Sequence, residues 1–206
     1  MWWAIAGVAL LGGAMWGPVA SNVEQAKYEV VQAQGNIEIR DYAPMIVAEA
    51  EVQGEREEAI NQGFRIIADY IFGNNSASEK VAMTAPVIQQ TGEKIAMTAP
   101  VTQQGGDAAW NVRFIMPAKY TLATLPKPNN PAVKLKQVAG TTYAVIRFSG
   151  VAGEESLKSH TEQLNAYMRE HKLTPVGSPV YAFYNPPFTL PFLRRNEVQV
   201  QIKPNR

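Results

Sequence analysis

One order of elements runs through this chain twice, and that repetition constrains the fold more than any single motif does. Ile37-Glu38-Ile39-Arg40-Asp41-Tyr42 and Met45 to Val52 alternate apolar and polar residues around a turn at Ala43-Pro44. Period two is the signature of half-buried strands, so the pattern predicts an opening hairpin. Glu55 to Phe72 then carries Ile60, Phe64, Ile67 and Ile71 at spacings of three and four, with acids in the first turn and Gly73 as the stop. Those spacings predict a helix with one apolar stripe. Lys80-Val81-Ala82-Met83-Thr84-Ala85-Pro86-Val87 recurs fourteen residues later as Lys94-Ile95-Ala96-Met97-Thr98-Ala99-Pro100-Val101, around Thr91-Gly92. A repeat so short, occurring twice, predicts two neighbouring strands joined by a hairpin, each proline marking an edge, a bulge or a strand end. Trp110 to Met116 continues the sheet.

After a proline-rich connector, Leu125 to Pro131, the same order returns. Val133 to Val138 and Thr142 to Phe148 read as strands, Glu154 to His171 as a helix, and Val180 to Tyr184 and Glu197 to Ile202 as two further strands. No polar linker separates the halves. The expectation is therefore an α+β fold in which two duplicated units share one sheet or barrel.

Composition removes several functions at once. Nineteen Lys and Arg against eighteen Asp and Glu leave a formal charge of +1, so no field gathers phosphates and no nucleic-acid partner is expected. There is no cysteine, which excludes disulfides, zinc-thiolate sites, iron–sulfur clusters and thiol catalysis. The two histidines, His160 and His171, stand eleven residues apart on the second predicted helix. That is about 16 Å along an intact helix, too far to share one metal ion. Each borders the apolar stripe, where a histidine is more commonly a packed boundary residue than a ligand.

Met1 to Ala20 contains no ionisable side chain, and reads as a targeting segment. A cleaved signal peptide fits the small residues Val19-Ala20-Ser21, and an uncleaved membrane anchor fits Trp2, Trp3 and Trp16 at its two ends. A buried N-terminal helix is the plainer alternative. The expected location is outside the cytoplasm, periplasmic or extracellular, or at a membrane held by this segment.

Hydrolase and nucleotide sites lack their signatures. Ser149-Gly150 has no Gly-x-Ser-x-Gly elbow around it, and Gly105-Gly106 opens no helix with a lysine. Met83 and Met97 suit either core filling or the lining of a groove. The stretch from Tyr184 to Glu197 is more informative. Prolines at 186, 187 and 191 stiffen a loop bearing Phe188, Leu190 and Phe192, which ends in Arg194-Arg195. Such a loop presents aromatic surface at low entropic cost, with arginines placed to clamp carboxylates at its rim. The competing reading folds the phenylalanines into the core and spends one arginine on a local ion pair.

From Lys27 to Pro204 the sequence resembles the SOUL haem-binding proteins. The resemblance is carried by Tyr28-Glu29-Val30, Ile37 to Tyr42, the Met-Thr-Ala-Pro-Val repeats, Trp110 with Phe114-Ile115-Met116-Pro117 and Tyr120, Phe148-Ser149-Gly150, and Tyr184-Asn185-Pro186-Pro187 followed by Arg194-Arg195-Asn196-Glu197-Val198. It implies a distorted β-barrel of two β-α-β-β halves with two flanking helices, and non-covalent binding of haem or related tetrapyrroles. Carried over by motif, the implied wall is Arg56, Ile60, Phe64 and Ile67 with Phe188, Leu190, Phe192 and Arg194. Ala59, Gly63 and Ile66 flank that stripe and are equally placed to line the wall. The implied partner is a tetrapyrrole, with His160 as the candidate metal ligand. The expected activity is that of a carrier or buffer without catalysis. An enzyme acting on a hydrophobic or tetrapyrrole-like substrate in the same cleft is the alternative, and a scaffold whose groove holds a peptide is a third.

Overall fold

The computed structural model describes residues 23–76, 93–105, 109–186 and 188–204. Residues 1–20, read above as a targeting segment, and the first Met-Thr-Ala-Pro-Val copy, with Met83, lie outside the described residues. Among the described residues no helix is long and apolar enough to cross a membrane.

The strands are β1 (Glu24–Gln25), β2 (Tyr28–Gln34), β3 (Ile37–Tyr42), β4 (Met45–Gln53), β5 (Asn75–Ser76), β6 (Thr98–Ala99), β7 (Val101–Gly105), β8 (Ala109–Ile115), β9 (Lys127–Pro128), β10 (Lys134–Val138), β11 (Thr141–Phe148), β12 (Pro175–Phe183) and β13 (Asn196–Ile202). Helix α1 spans Arg56–Ile71 and α2 spans Glu154–Glu170. Nine strands form one curled antiparallel sheet in the order β10-β4-β8-β7-β12-β13-β11-β3-β2. This is the expected α+β distorted barrel with two flanking helices.

The strand order corrects one expectation. β3 and β4 form no hairpin: β3 pairs with β2 and β11, while β4 pairs with β8 and β10. Each half instead lends its first strand to the other, since β10 joins β4 and β3 joins β11. The two connectors that make this exchange, Ala43-Pro44 and Ala139-Gly140, cross in contact. A Cβ on Gly140 would lie 2.7 Å from the Tyr42 carbonyl oxygen and 3.2 Å from Pro44 Cδ, so only glycine fits there. The second repeat copy differs too. Only Thr98–Ala99 and Val101 onward are extended, and Thr98–Ala99 pairs in parallel with β1. Pro100 falls at a strand end, where a missing donor costs nothing.

Both helices cover the same face of the sheet. Ala48, Phe114, Val101, Phe183, Asn196 and Phe148 stand side by side across six strands. Phe114 packs in the core beneath α1, and Phe148 in the core beneath α2. Helix α1 turns its small side to the sheet: Ala59, Gly63, Ile67 and Ile71 are buried, whereas Phe64 is 39% exposed. Gly63 permits this approach, because a Cβ there would stand 2.6 Å from Val112 Cγ2 and 3.1 Å from Val52 Cγ2. Gly63→Ala is therefore expected to lose about 1–3 kcal/mol of stability through overpacking, read from urea denaturation midpoints. A change within experimental error would mean that α1 can lift off the sheet without penalty.

Candidate functional site

The stretch between β12 and β13 is a loop with a fixed root and an apolar tip. At the root, Tyr184 N–H donates to the Arg195 carbonyl (3.2 Å), and Arg195 N–H donates to Asn185 Oδ1 (2.7 Å). One short helical turn, Pro191–Leu193, follows the prolines, whose fixed φ suits it. The loop is also tied sideways to the β11–α2 connection. Gly150 N–H donates to the Pro191 carbonyl (2.8 Å) and Asn196 Nδ2 donates to the Gly150 carbonyl (3.0 Å).

Beneath the root lies a buried charge network. Glu197 has no exposed surface, and its carboxylate receives Arg40 Nη1 (2.9 Å), Arg195 Nη2 (2.7 Å), the Tyr184 hydroxyl (2.9 Å) and Gln199 Nε2 (2.8 Å). Burial pushes the Glu197 carboxyl up, but Arg195 and Arg40 outweigh it and hold the group below the usual carboxylate range. The Arg195 guanidinium stacks 3.8 Å from the centre of the Tyr184 ring and donates to the Tyr28 hydroxyl (3.2 Å). Of the two terminal arginines, Arg195 is the one bound into a local ion pair. Arg194 stays half-buried at the rim, its Nε donating to the Thr189 carbonyl (2.8 Å).

The tip is open. Phe188 is 87% exposed, Phe192 70%, Leu190 56% and Leu193 51%, with Val151 of the tethered connection beside them. Monomeric proteins seldom leave that much contiguous apolar surface without a partner for it. On α1, Phe64 keeps an exposed edge while its ring packs 5.3 Å from that of Phe114. Ile60 is half-buried, and Ile67 is fully enclosed, supporting the wall from behind. Arg56 donates through Nη1 to Gln103 Oε1 (3.4 Å), and its Nε is buried without a hydrogen-bond partner among the described residues. Phe114, Val101 and Phe183 lie in register on one face, so Phe114, on which Phe64 packs, and Phe183 at the root of the loop stand two strand spacings, about 10 Å, apart.

His160 lies on that face on the other side of the loop root: Phe148, on which it stacks, stands opposite Asn196, and Asn196 opposite Phe183, so it is two strands from the root, as Phe114 is. Its ring stacks 3.9 Å from that of Phe148, and Nδ1 faces the Ser156 carbonyl at 2.7 Å. Phe148 belongs to β11, four strands from the β8 that carries Phe114. His171 stacks in the same manner on Tyr167, at 3.9 Å. No cluster of three potential metal-ligating side chains occurs among the described residues.

The Arg40–Glu197–Tyr184 network went unnoticed in the sequence reading. Its signal was there: Arg40 and Glu197 occupy inward positions of strands whose neighbours Ile39 and Val198 face the helices. A charge at such a position requires a partner.

A family model described as SOUL heme-binding protein matches residues 23–201. No curated protein matches the chain. Among solved structures, that of the EcmrR C-terminal domain aligns with a TM-score of 0.58 at 10% identity, covering 85% of this chain and 98% of that one. A hydrolase from Listeria innocua aligns with a TM-score of 0.55 at 11% identity, covering 84% of this chain and 94% of that one. At such identities the likeness is one of fold alone.

Proposed function

This chain belongs to the SOUL heme-binding protein family, and on that footing we propose that it binds haem or a related tetrapyrrole non-covalently, as a carrier or buffer. The observation that supports this reading is the loop tip: Phe188, Leu190, Phe192 and Leu193 stand exposed on a root that is hydrogen-bonded and ion-paired throughout. A preorganised apolar surface binds a flat apolar ligand without first having to order itself. Phe64 and Ile60 of α1 supply the facing wall.

The residues present fit the group. Haem carries two propionates on an otherwise apolar disc, and this region offers cations at its margin. Arg194 takes one propionate at the rim. Arg56 turns to the other, its orphaned Nε finding in a carboxylate the acceptor it lacks. Arg195, already committed to Glu197, acts by positioning the loop. When bound, the group supplies the iron and its redox and ligand chemistry, while the chain supplies orientation and exclusion of water. The carrier works outside the cytoplasm or at a membrane, through residues 1–20.

Titration of haemin into the purified protein, followed at the Soret band, tests the reading. A saturable shift at micromolar protein is expected, and its absence rejects the ligand class. His160 is the candidate axial ligand, with Nδ1 already engaged by Ser156. Because its ring is stacked flat on Phe148, the Soret maximum of His160→Ala is expected to match that of the native protein. A displaced maximum in the variant would assign the imidazole to iron.

A further inference from the structure

An invagination distinct from the loop proposed above opens at the strand ends beside Ile46 and Met116 and runs onto the face of the sheet opposite the helices. Its outer part is a cavity of about 350 Å³ bordered by Met45, Ile46, Ile115, Met116 and Leu122, with Glu24 and Lys27 at the lip. Its inner part, of about 60 Å³, reaches between Thr102, Arg113, Thr141, Tyr143 and Gln199. Ala26, Met45 and Ile115 border both parts, so they form one passage with Ala26 at the neck. None of residues 184–195 borders either part.

The two ends differ in chemistry. The outer part is mostly aliphatic and thioether, surface that adapts to a flexible chain. Of the inner lining, Arg113 is paired through Nε with Glu49, a carboxylate behind the wall that Lys136 Nζ also binds. That cluster therefore carries one positive charge in excess. Arg113 Nη1 donates to Gln104 Oε1 (3.2 Å), and Nη2 makes no hydrogen bond among the described residues. The Tyr143 hydroxyl, on the same wall, makes none either. Burial holds the Tyr143 phenol above its ordinary value against the pull of Arg113, so it stays a proton donor through the neutral range. The neighbouring Tyr42 hydroxyl is already engaged by Arg40 Nη1 (3.1 Å) and Gln199 Nε2 (3.2 Å). Two accessible donors without a protein partner, one of them on a cation, thus border the inner part of the passage.

We propose that this invagination is a second ligand site, separate from the loop, which takes a linear monocarboxylate of roughly eight to ten carbons. The carboxylate lies between Arg113 and Tyr143, and the chain runs past Ala26 along Met45, Ile115, Met116 and Leu122. A cavity of the inner volume, about 60 Å³, holds a head group of a few heavy atoms, since a single water needs roughly 10–15 Å³ by the same kind of measure.

Calorimetric titration of the full chain with decanoate tests the site. Saturable binding is expected, with decanol at least about tenfold weaker because it cannot take up the charge. Tyr143→Phe, which removes one oxygen from a half-buried ring, should weaken decanoate by about tenfold and leave decanol unchanged. Ala26→Trp should abolish decanoate binding by filling the neck and leave the haemin titration as it was. Equal binding of decanol and decanoate, native affinity in Tyr143→Phe, or no saturable binding overturns the proposal. Loss of haemin and decanoate together in a folded Ala26→Trp variant would overturn the separateness of the two sites. Should that variant fail to fold, Tyr143→Phe alone decides.

Discussion

Glu197→Ala is expected to lower the free energy of unfolding by about 3–5 kcal/mol at pH 7, among the largest losses available to a single side chain in this protein. The residue is fully enclosed, and four side chains donate to its carboxylate. Its removal leaves Arg40, itself fully buried, and Arg195 without their shared counter-charge. Arg40 keeps Glu38 on its Nε (2.7 Å), but its Nη2 already lacks a partner among the described residues, and losing Glu197 would strip Nη1 of its carboxylate as well. Glu197→Gln keeps the shape and some of the hydrogen bonds and should lose less. The pH dependence carries a definite sign. The carboxyl is held below its ordinary value in the folded state, so its contribution is complete above the unfolded value of about 4.3 and disappears as pH falls through the folded value. Native protein should therefore weaken steeply below about pH 4, and Glu197→Gln should lack that portion of the decline. Glu49 is depressed as well, by Lys136 and Arg113 acting against burial, so some slope will remain. Urea midpoints across pH 3–7 measure both effects. A loss below about 1 kcal/mol in Glu197→Ala would mean that the network relaxes into water and does not anchor the loop.

How far the sequence led can be judged element by element. Both helices begin and end within about one residue of their periodic signal, because an apolar stripe over four turns averages out local exceptions. Their facing was harder to read. Ile60 and Phe64 are large and apolar, yet the structure turns Ala59 and Gly63 to the sheet. Close approach of helix and strand rewards small residues, which hydrophobicity alone does not rank. The Ala59, Gly63, Ile67, Ile71 series at spacings of four was the available sign. The strands were legible for a similar reason, but their partners were not. Alternation identifies a half-buried strand without saying what lies beside it, and a turn as short as Ala43-Pro44 suggests a hairpin. Here the exchange of β3 and β10 between halves decides the pairing, and what permits it is a missing Cβ at Gly140, almost a hundred residues away in the chain. At the loop, Pro191 opens the short helical turn. The division of labour between Arg194 and Arg195 depended on Glu197 being buried, which only the folded sheet reveals.

Replacing Phe188 and Phe192 together by serine should separate binding from stability more cleanly than any other change. Both rings are largely in water already, 87% and 70% exposed, so the folded state loses little contact. Surface substitutions of this kind shift stability by roughly half a kcal/mol or less. Binding has much more to lose. A phenylalanine side chain carried from water into full contact is worth about 1.5–3 kcal/mol, so two rings that cover a tetrapyrrole should account for about a hundredfold of its affinity or more. Haemin titration at the Soret band and urea denaturation of the same preparation report the two quantities side by side. The expected pattern is an unchanged midpoint with a collapsed Soret affinity, while decanoate binding in the invagination stays as in the native protein. If the double variant keeps both its fold and its haemin affinity, the exposed tip is not where the ligand rests. The exposed edge of Phe64 on α1, which packs on Phe114, would then become the surface to substitute.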